Sequence, residues 1–502
     1  MFYILQTWEL VFARKMKRLK KIWWVIPAVL MWWGCERDYL FRGGDEGITF
    51  SSDTVMFDTI FTSIGSATRN FRIYNPYGSD MTIDAIRLAG GDDSKFRINV
   101  NGVPSHEVYE VPMRAGDSLY VFVEVTINPG ESSDPSFVVT DSIVFSTKER
   151  NQSVKLVAYG QDVVLMRNQT IESMTFTAEK PYLIYDWLKV DTAAVLTIEE
   201  GAHLYFYQGA GLAVYSEASL KVKGTKENPV LFAGSRLEDW YLDKPGQWEG
   251  IILAPGSKNH DISYASIRNA TIGLNVDSVG LDGDAPLLLS NVKIEHISKQ
   301  GLVAQASSII AHNSLFADAG SASVALTYGG HYEFYHCTIA NFFNWGKYRS
   351  IPALLLSNYY FNKDNKPEIR DMEEALFSNC IIWGSNTNEL GLDFEPKVKE
   401  RNDKEEKNEF LLNYRFENSL LRTSLSEEQL SDKKYFNNVI VNHNPSFVDY
   451  QKYNYQLDTL SIAIDAGSME AARKYPLDYL GNSRINANTL PDLGYIERVE
   501  LH

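Results

Sequence analysis

From Gly47 to about Asp162 apolar and polar residues alternate in short runs, among them Phe71-Arg72-Ile73-Tyr74, Leu119 to Ile127, Ser142 to Ser146 and Val154 to Tyr159, with Gly, Pro and Asn between them. A period of two over four to eight residues is that of a half-buried strand, and several such strands with turn residues between them predict a β-sandwich. Beyond Val190 a unit repeats instead. Six segments fall on one register: Tyr264-Ala265-Ser266-Ile267, Asn291-Val292-Lys293-Ile294, His312-Asn313-Ser314-Leu315, His336-Cys337-Thr338-Ile339, Asn379-Cys380-Ile381-Ile382 and Glu417-Asn418-Ser419-Leu420. They are 27, 21, 24, 43 and 38 residues apart. A solenoid coil takes roughly 20–25 residues, so the long steps read as coils with insertions or as an extra coil.

Strand alternation assigns the faces of this repeat. The fourth position is always Ile or Leu and points inward, and the second position points inward with it: Ala265, Val292, Asn313, Cys337, Cys380 and Asn418. Cys337 and Cys380 are thus expected as buried thiols, and the asparagines as a stacked interior ladder. The first and third positions are expected to face solvent. They carry Tyr264, Asn291, His312, His336, Asn379 and Glu417, then Ser266, Lys293, Ser314, Thr338, Ile381 and Ser419. Arg268, Glu295, Phe316 and Trp383 extend the same stripe by one step.

Ahead of these elements, Lys17, Arg18, Lys20 and Lys21 precede the apolar run Ile22 to Trp33, then Gly34 and Cys35. The run has the length of a signal-peptide core and is too short to span a bilayer. The phrase resembles a bacterial lipoprotein signal, which implies lipidation of Cys35 and cleavage after residue 34. Trp32 and Trp33 depart from its stricter form. Glu36-Arg37-Asp38 resembles the signal that sends Bacteroidetes-type lipoproteins to the outer face of the outer membrane, the alternative being its periplasmic face. Asp-Ser/Thr triplets such as Asp53-Thr54-Val55 and Asp458-Thr459-Leu460 resemble the O-glycosylation sequon of such exported proteins, or are ordinary turn chemistry.

The net charge of the whole chain is −16, and beyond Gly34 there are 42 basic and 63 acidic residues, a net of −21. Such a surface repels nucleic acid and anionic membrane surfaces. Two cysteines beyond Cys35 make neither a disulfide framework nor a CxxC metal pair.

Two longer resemblances complete the domain picture. Asn75-Pro76, Gly116-Asp117-Ser118, Ile127-Asn128-Pro129-Gly130 and the stretch Val154 to Gly160 resemble immunoglobulin-like modules of the spindle-protein/hydin type. Thr197 to Ala202, Leu204-Tyr205-Phe206, Gly211 to Val214, Ser219 to Gly224, Asn228 to Phe232 and Gln247 to Ile251 resemble the opening coils of right-handed parallel β-helices of the pectin-lyase-like superfamily. Asn444 to Asp449, Ser461 to Gly467, Asp478 to Asn482 and Pro491 to Glu497 resemble the closing segment of exported β-helix proteins, which implies a cap on the last coil. Asp465, Asp478, Asp492 and Glu497 belong to that structural phrase. The expectation is an all-β chain: leader 1–35, Ig-like sandwich 47–162, right-handed parallel β-helix 170–443 and C-terminal capping segment 444–502.

The fold does not by itself choose a function. Family members bind extended polysaccharides on a polar, aromatic-studded flat, so the ligand stripe is expected at Tyr264, Asn291, His312, His336 and Asn379. The polygalacturonase phrases Asn-Thr-Asp, Asp-Asp, Gly-His-Gly and Arg-Ile-Lys do not occur in residues 190–450. An enzyme would draw on His312, His336, Glu295, Lys293 and Arg268, the histidines as general acid and base. Trp240, Tyr241 and Trp248 near Asp239 and Asp243 make a second sugar platform, or packing, and Trp248 sits in a coil-opening phrase. Asp277, Asp282 and Asp284 offer oxygen ligands of the kind Ca²⁺ prefers, or a turn; no other cofactor is expected. The reading is a non-catalytic lipoprotein that binds or scaffolds at extracellular carbohydrate or a cell-surface protein. The alternative is a polysaccharide lyase or glycoside hydrolase.

Overall fold

A computed structural model describes residues 47–62, 65–128, 136–148, 150–281, 283–346, 348–395 and 410–499. The leader with Cys35, the Pro129-Gly130 pair, Asp282 and residues 396–409 lie outside them. The chain forms two compact units: one runs to Tyr159 without the short stretches 61–63 and 128–137, and the other comprises those stretches and everything from Gly160 onward.

In the first unit two five-stranded sheets face each other, one antiparallel and the other with Thr54–Phe61 running parallel to Asn151–Gln161. Strands Ser118–Val125 and Asn151–Gln161 show why: Val121, Val123 and Val125 on one, and Val154, Leu156 and Ala158 on the other, are buried while the residues between them are not. Phe71 of one sheet meets Phe145 of the other edge-on at 6.2 Å. The Asn75-Pro76 turn is held by the buried Asn75 amide, which donates to the carbonyls of Ser79 and Arg114 and accepts from the Tyr77 N–H.

The second unit is a parallel β-helix with three faces per coil. In one coil Gly250–Leu253 lies on the first face, Asp261–Ser263 on the second and Ala265–Arg268 on the third. Each strand pairs in parallel with its equivalent one coil on. The third face is an 11-stranded sheet. The first two faces merge where the long strands Leu302–His312 and Val324–Tyr335 run across both, bending at Ala306 (φ 45°) and at Tyr328 and Gly329 (φ 59° and 69°). Leu, Ile, Val and Phe from all three faces fill one continuous interior. The corner opening the first face carries Gly211, Gly250, Gly273 and Gly301; at Gly250 (φ 125°) a Cβ would collide with the Ile272 carbonyl oxygen. The long repeat steps are insertions, because Ile339 pairs directly with Ile382 and Ile382 with Leu421.

The register corrects two of the six aligned segments by one residue. Lys293 pairs with Leu315 and Leu315 with Thr338, so Asn313, not His312, is equivalent to Asn291 and His336; Asn418, not Glu417, is equivalent to Asn379. The shared position is the corner between the second and third faces. Tyr264, Asn291, Asn313, His336, Asn379, Asn418 and Asn438 all have positive φ there, between 43° and 56°. Asparagine tolerates this left-handed conformation better than most residues, which is why it recurs. The interior column is therefore Ala265, Val292, Ser314, Cys337, Cys380 and Ser419, not an asparagine ladder, and Phe316 is interior as well. Cys337 and Cys380 are buried free thiols.

A second correction concerns the closing segment. It lies along the outer side of the third face instead of only ending the last coil. Tyr455, Tyr495 and Ile496 pack on Leu315, Ala317 and Ala340, while Leu457, Ala463 and Leu493 pack on Ile381, Trp383 and Leu420. The reason is in the outward positions: Leu315, Ile381 and Leu420 are apolar, and leaving them in water costs about 1.5–3 kcal/mol per side chain. Polar staples fix the strap. The Asn379 amide donates to Ser468 O and accepts from Ser468 N–H, and Asn313 donates to Leu477 O. The fully buried Arg484 donates to Glu497, Asn313 Oδ1 and Gly494 O. Asp478 and Asp492 accept backbone N–H groups of the strap itself.

Candidate functional site

The strap decides the fate of the expected ligand stripe. His336 is 0% exposed and bonds to the Asn379 amide at 3.2 Å; Asn379 and Asn291 are also buried. The His312 ring stacks on Tyr475 of the strap at 4.0 Å, and the half-buried Tyr264 ring sits 5.9 Å from Tyr479. Lys293 points its ammonium at the Tyr479 ring, 4.7 Å away. Arg268 pairs with Asp243 at 2.9 Å. Burial, with Arg484 and Lys474 nearby, pushes His312 down to about 4; burial also holds His336 far below its ordinary value. Both imidazoles are neutral at pH 7 and packed against protein. The stripe is thus the bed of the strap, not a solvated flat.

Of the second platform, Trp248 is a core residue. It stacks on Phe206 at 4.0 Å and donates its indole N–H to Arg268 O. Trp240 is 68% exposed, and its ring lies 6.2 Å from Trp345. Of the three carboxylates considered for Ca²⁺, Asp277 accepts from Gln305 and from the Ser278 hydroxyl.

A groove of about 810 Å³ opens to solvent between the insertion after Asn341 and the turn Tyr450–Lys452 of the strap. Its walls are aromatic. Phe342 stacks on Tyr450 at 4.2 Å; Tyr453 packs edge-on against His296 at 4.2 Å; Tyr348 is fully exposed. Phe343 lines the same groove, and Arg422 gives it a cation. The turn forms because the Asp449 side chain accepts the Lys452 N–H and Tyr453 adopts a left-handed conformation (φ 59°). Its base is pinned where Tyr455 donates to the buried Asp318 carboxyl at 2.5 Å. Burial raises that carboxyl to about 7.

The insertion has its own anchor. Arg349 and Glu389, both fully buried, pair at 2.5 Å, and Arg349 also donates to Asn341 O. Glu389 further accepts the N–H groups of Ala353 and Asn386. Glu389 continues the corner column Gly273, Gly301, Ser323 and Ala353, because Leu274 pairs with Leu302, Leu302 with Val324, Val324 with Leu354 and Leu354 with Leu390. A carboxylate there exists to hold a loop that no earlier coil carries.

Chemically the groove offers ring faces, amide and hydroxyl groups and one guanidinium. Sequence reasoning missed it because its aromatic residues come from two segments about 100 positions apart. The signal in the sequence is the aromatic density of Phe342-Phe343-Asn344-Trp345 and of Tyr450 to Tyr455.

Fold and groove together define an all-β protein in which a sandwich precedes a parallel β-helix with a strapped third face. No protein-family profile matches the chain, and no curated protein matches it. Among solved structures, the chain is similar to the periplasmic chaperone SfaE (11% identity, 23% of this chain and 58% of that one, TM-score 0.17). It is similar to a family 123 glycoside hydrolase from Clostridium perfringens (10% identity, 26% and 30%, TM-score 0.18). It is also similar to the catalytic unit of a GH87 alpha-1,3-glucanase from Streptomyces thermodiastaticus (11% identity, 70% and 79%, TM-score 0.22). The chain thus spans less than two thirds of the first two. At such TM-scores no function passes from these proteins to this one.

Proposed function

We propose that this chain is a non-catalytic binding protein of the bacterial envelope that holds extended carbohydrate in the groove walled by Phe342, Tyr348, Tyr450 and Tyr453. The observation that carries the reading is the open aromatic groove itself: ring faces set on a rigid solenoid stack on the apolar faces of sugar rings, and neighbouring amides and hydroxyls bond to sugar hydroxyls. The exposed Trp240 beside Trp345 extends the platform. The test is calorimetric titration with a panel of plant and host polysaccharides. Tyr348→Ala and Tyr450→Ala are each expected to weaken the tightest binder about tenfold, near 1.4 kcal/mol, with no product formed before or after. Tyr348 packs on so little that its loss leaves the fold intact. Variants that bind like wild type sink the groove, and new reducing or unsaturated ends would move the protein to the polysaccharide-degrading alternative.

The envelope location rests on the leader and Cys35. Cys35→Ala is expected to abolish lipid labelling and release the protein to a soluble fraction; unchanged membrane association would remove the anchor from this reading. The N-terminal sandwich then serves as a spacer or an interaction platform.

A further inference from the structure

We infer that the groove selects an anionic sugar and that Arg422 is the residue that reads its charge; this rests on the carbohydrate-binding reading above. The chain as a whole is strongly acidic, net −16, so its long-range field opposes the approach of an anion. Against that background the described lining of the groove contains no carboxylate and one formal charge, the Arg422 guanidinium.

The state of that guanidinium sets it apart. Five other arginines of the solenoid each hold a carboxylate: Arg236 with Glu238, Arg268 with Asp243, Arg349 with Glu389, Arg415 with Glu374 and Glu417, and Arg484 with Glu497. Arg422 pairs with none among the described residues. It lies over the Trp383 ring, 4.8 Å from its centre, and donates one Nη1 hydrogen bond to Gly384 O. Trp383 is in turn buried against Leu457, Ala463 and Leu493 of the strap. The fork is therefore held in place before any ligand arrives, with most of its donors unspent. A planar fork bonds two oxygens of a carboxylate or a sulfate at once, and because little rotamer freedom remains to be lost, such a contact is stronger and more selective than one to a mobile lysine. Aromatic walls take the sugar ring and Arg422 takes its negative group.

The experiment titrates the full-length mature protein with three hexasaccharides of equal length: a neutral glucan, an oligouronate and a sulfated glucan. At low salt at least one anionic probe is expected to bind ten times more tightly than the neutral one, and which one does so identifies carboxylate or sulfate as the group read. Arg422→Gln is expected to bring that probe down to the affinity of the neutral one; Arg422→Lys retains part of the preference. Both variants are to melt with the wild type. Equal affinity for all three probes, or a preference that survives Arg422→Gln, overturns the inference alone, since Tyr450→Ala still reports on the groove. If no probe binds the wild type, the carbohydrate reading falls with it.

Discussion

Glu389→Ala is expected to cost about 3–5 kcal/mol of stability and to release the loop that walls the groove. Glu389 is the sole carboxylate partner of a fully buried arginine among the described residues, and it also satisfies the N–H groups of Ala353 and Asn386. Removing it leaves the Arg349 charge buried without compensation and two further donors unpaired, which is far more costly than losing a surface ion pair. The loop should then leave its seat, taking Phe342, Phe343 and Tyr348 with it. Chemical denaturation reads the first effect and titration with the tightest polysaccharide the second. Replacing both partners by apolar residues, Arg349→Met with Glu389→Met, should recover much of the stability, because no buried charge remains. A loss below about 1 kcal/mol in the single variant would mean that the pair does not anchor the loop.

Ile339→Asp should abolish folding altogether. Ile339 is fully buried and stacked between Phe316 of the preceding coil and Ile382 of the next. A carboxylate at that point has no partner within the apolar interior and sits in the middle of the solenoid, where both neighbouring coils depend on it. Val195→Asp, on the outer side of a strand and exposed, is the contrast, with a cost of about 1 kcal/mol or less. Circular dichroism and thermal melts of the two variants decide the matter; similar behaviour would mean that the inward and outward sides have been exchanged.

How much of this was legible in the chain varies with the range of the interactions involved. The interior positions Ile267, Ile294, Ile339 and Ile382 were evident from recurrence alone, because a stacked coil must repeat its buried residues. The burial of Cys337 and Cys380 followed from the same alternation. The one-residue slips at His312 and Glu417 come from Leu315 and Leu420, outward apolar residues that stand where an interior Ile or Leu is expected. Asn291, Asn313, Asn379, Asn418 and Asn438 mark a corner where positive φ is required, and aligning on them gives the true register.

Periodicity along the chain by itself determined an all-β protein, two kinds of β architecture and their order, because strand alternation and coil stacking are local demands met within about 25 residues. Only the tertiary structure decided which outward residues meet water. Leu315, Ile381 and Leu420 need a cover, yet nothing near them in sequence supplies it. The partners arrive from far along the chain: Tyr455 reaches Asp318 across 137 positions and Leu477 reaches Asn313 across 164. That long return buries the stripe of His312, His336 and Asn379 and, at its Tyr450–Lys452 turn, builds the second wall of the groove. A contact of that range is set by shape and burial in three dimensions, and no local pattern encodes it.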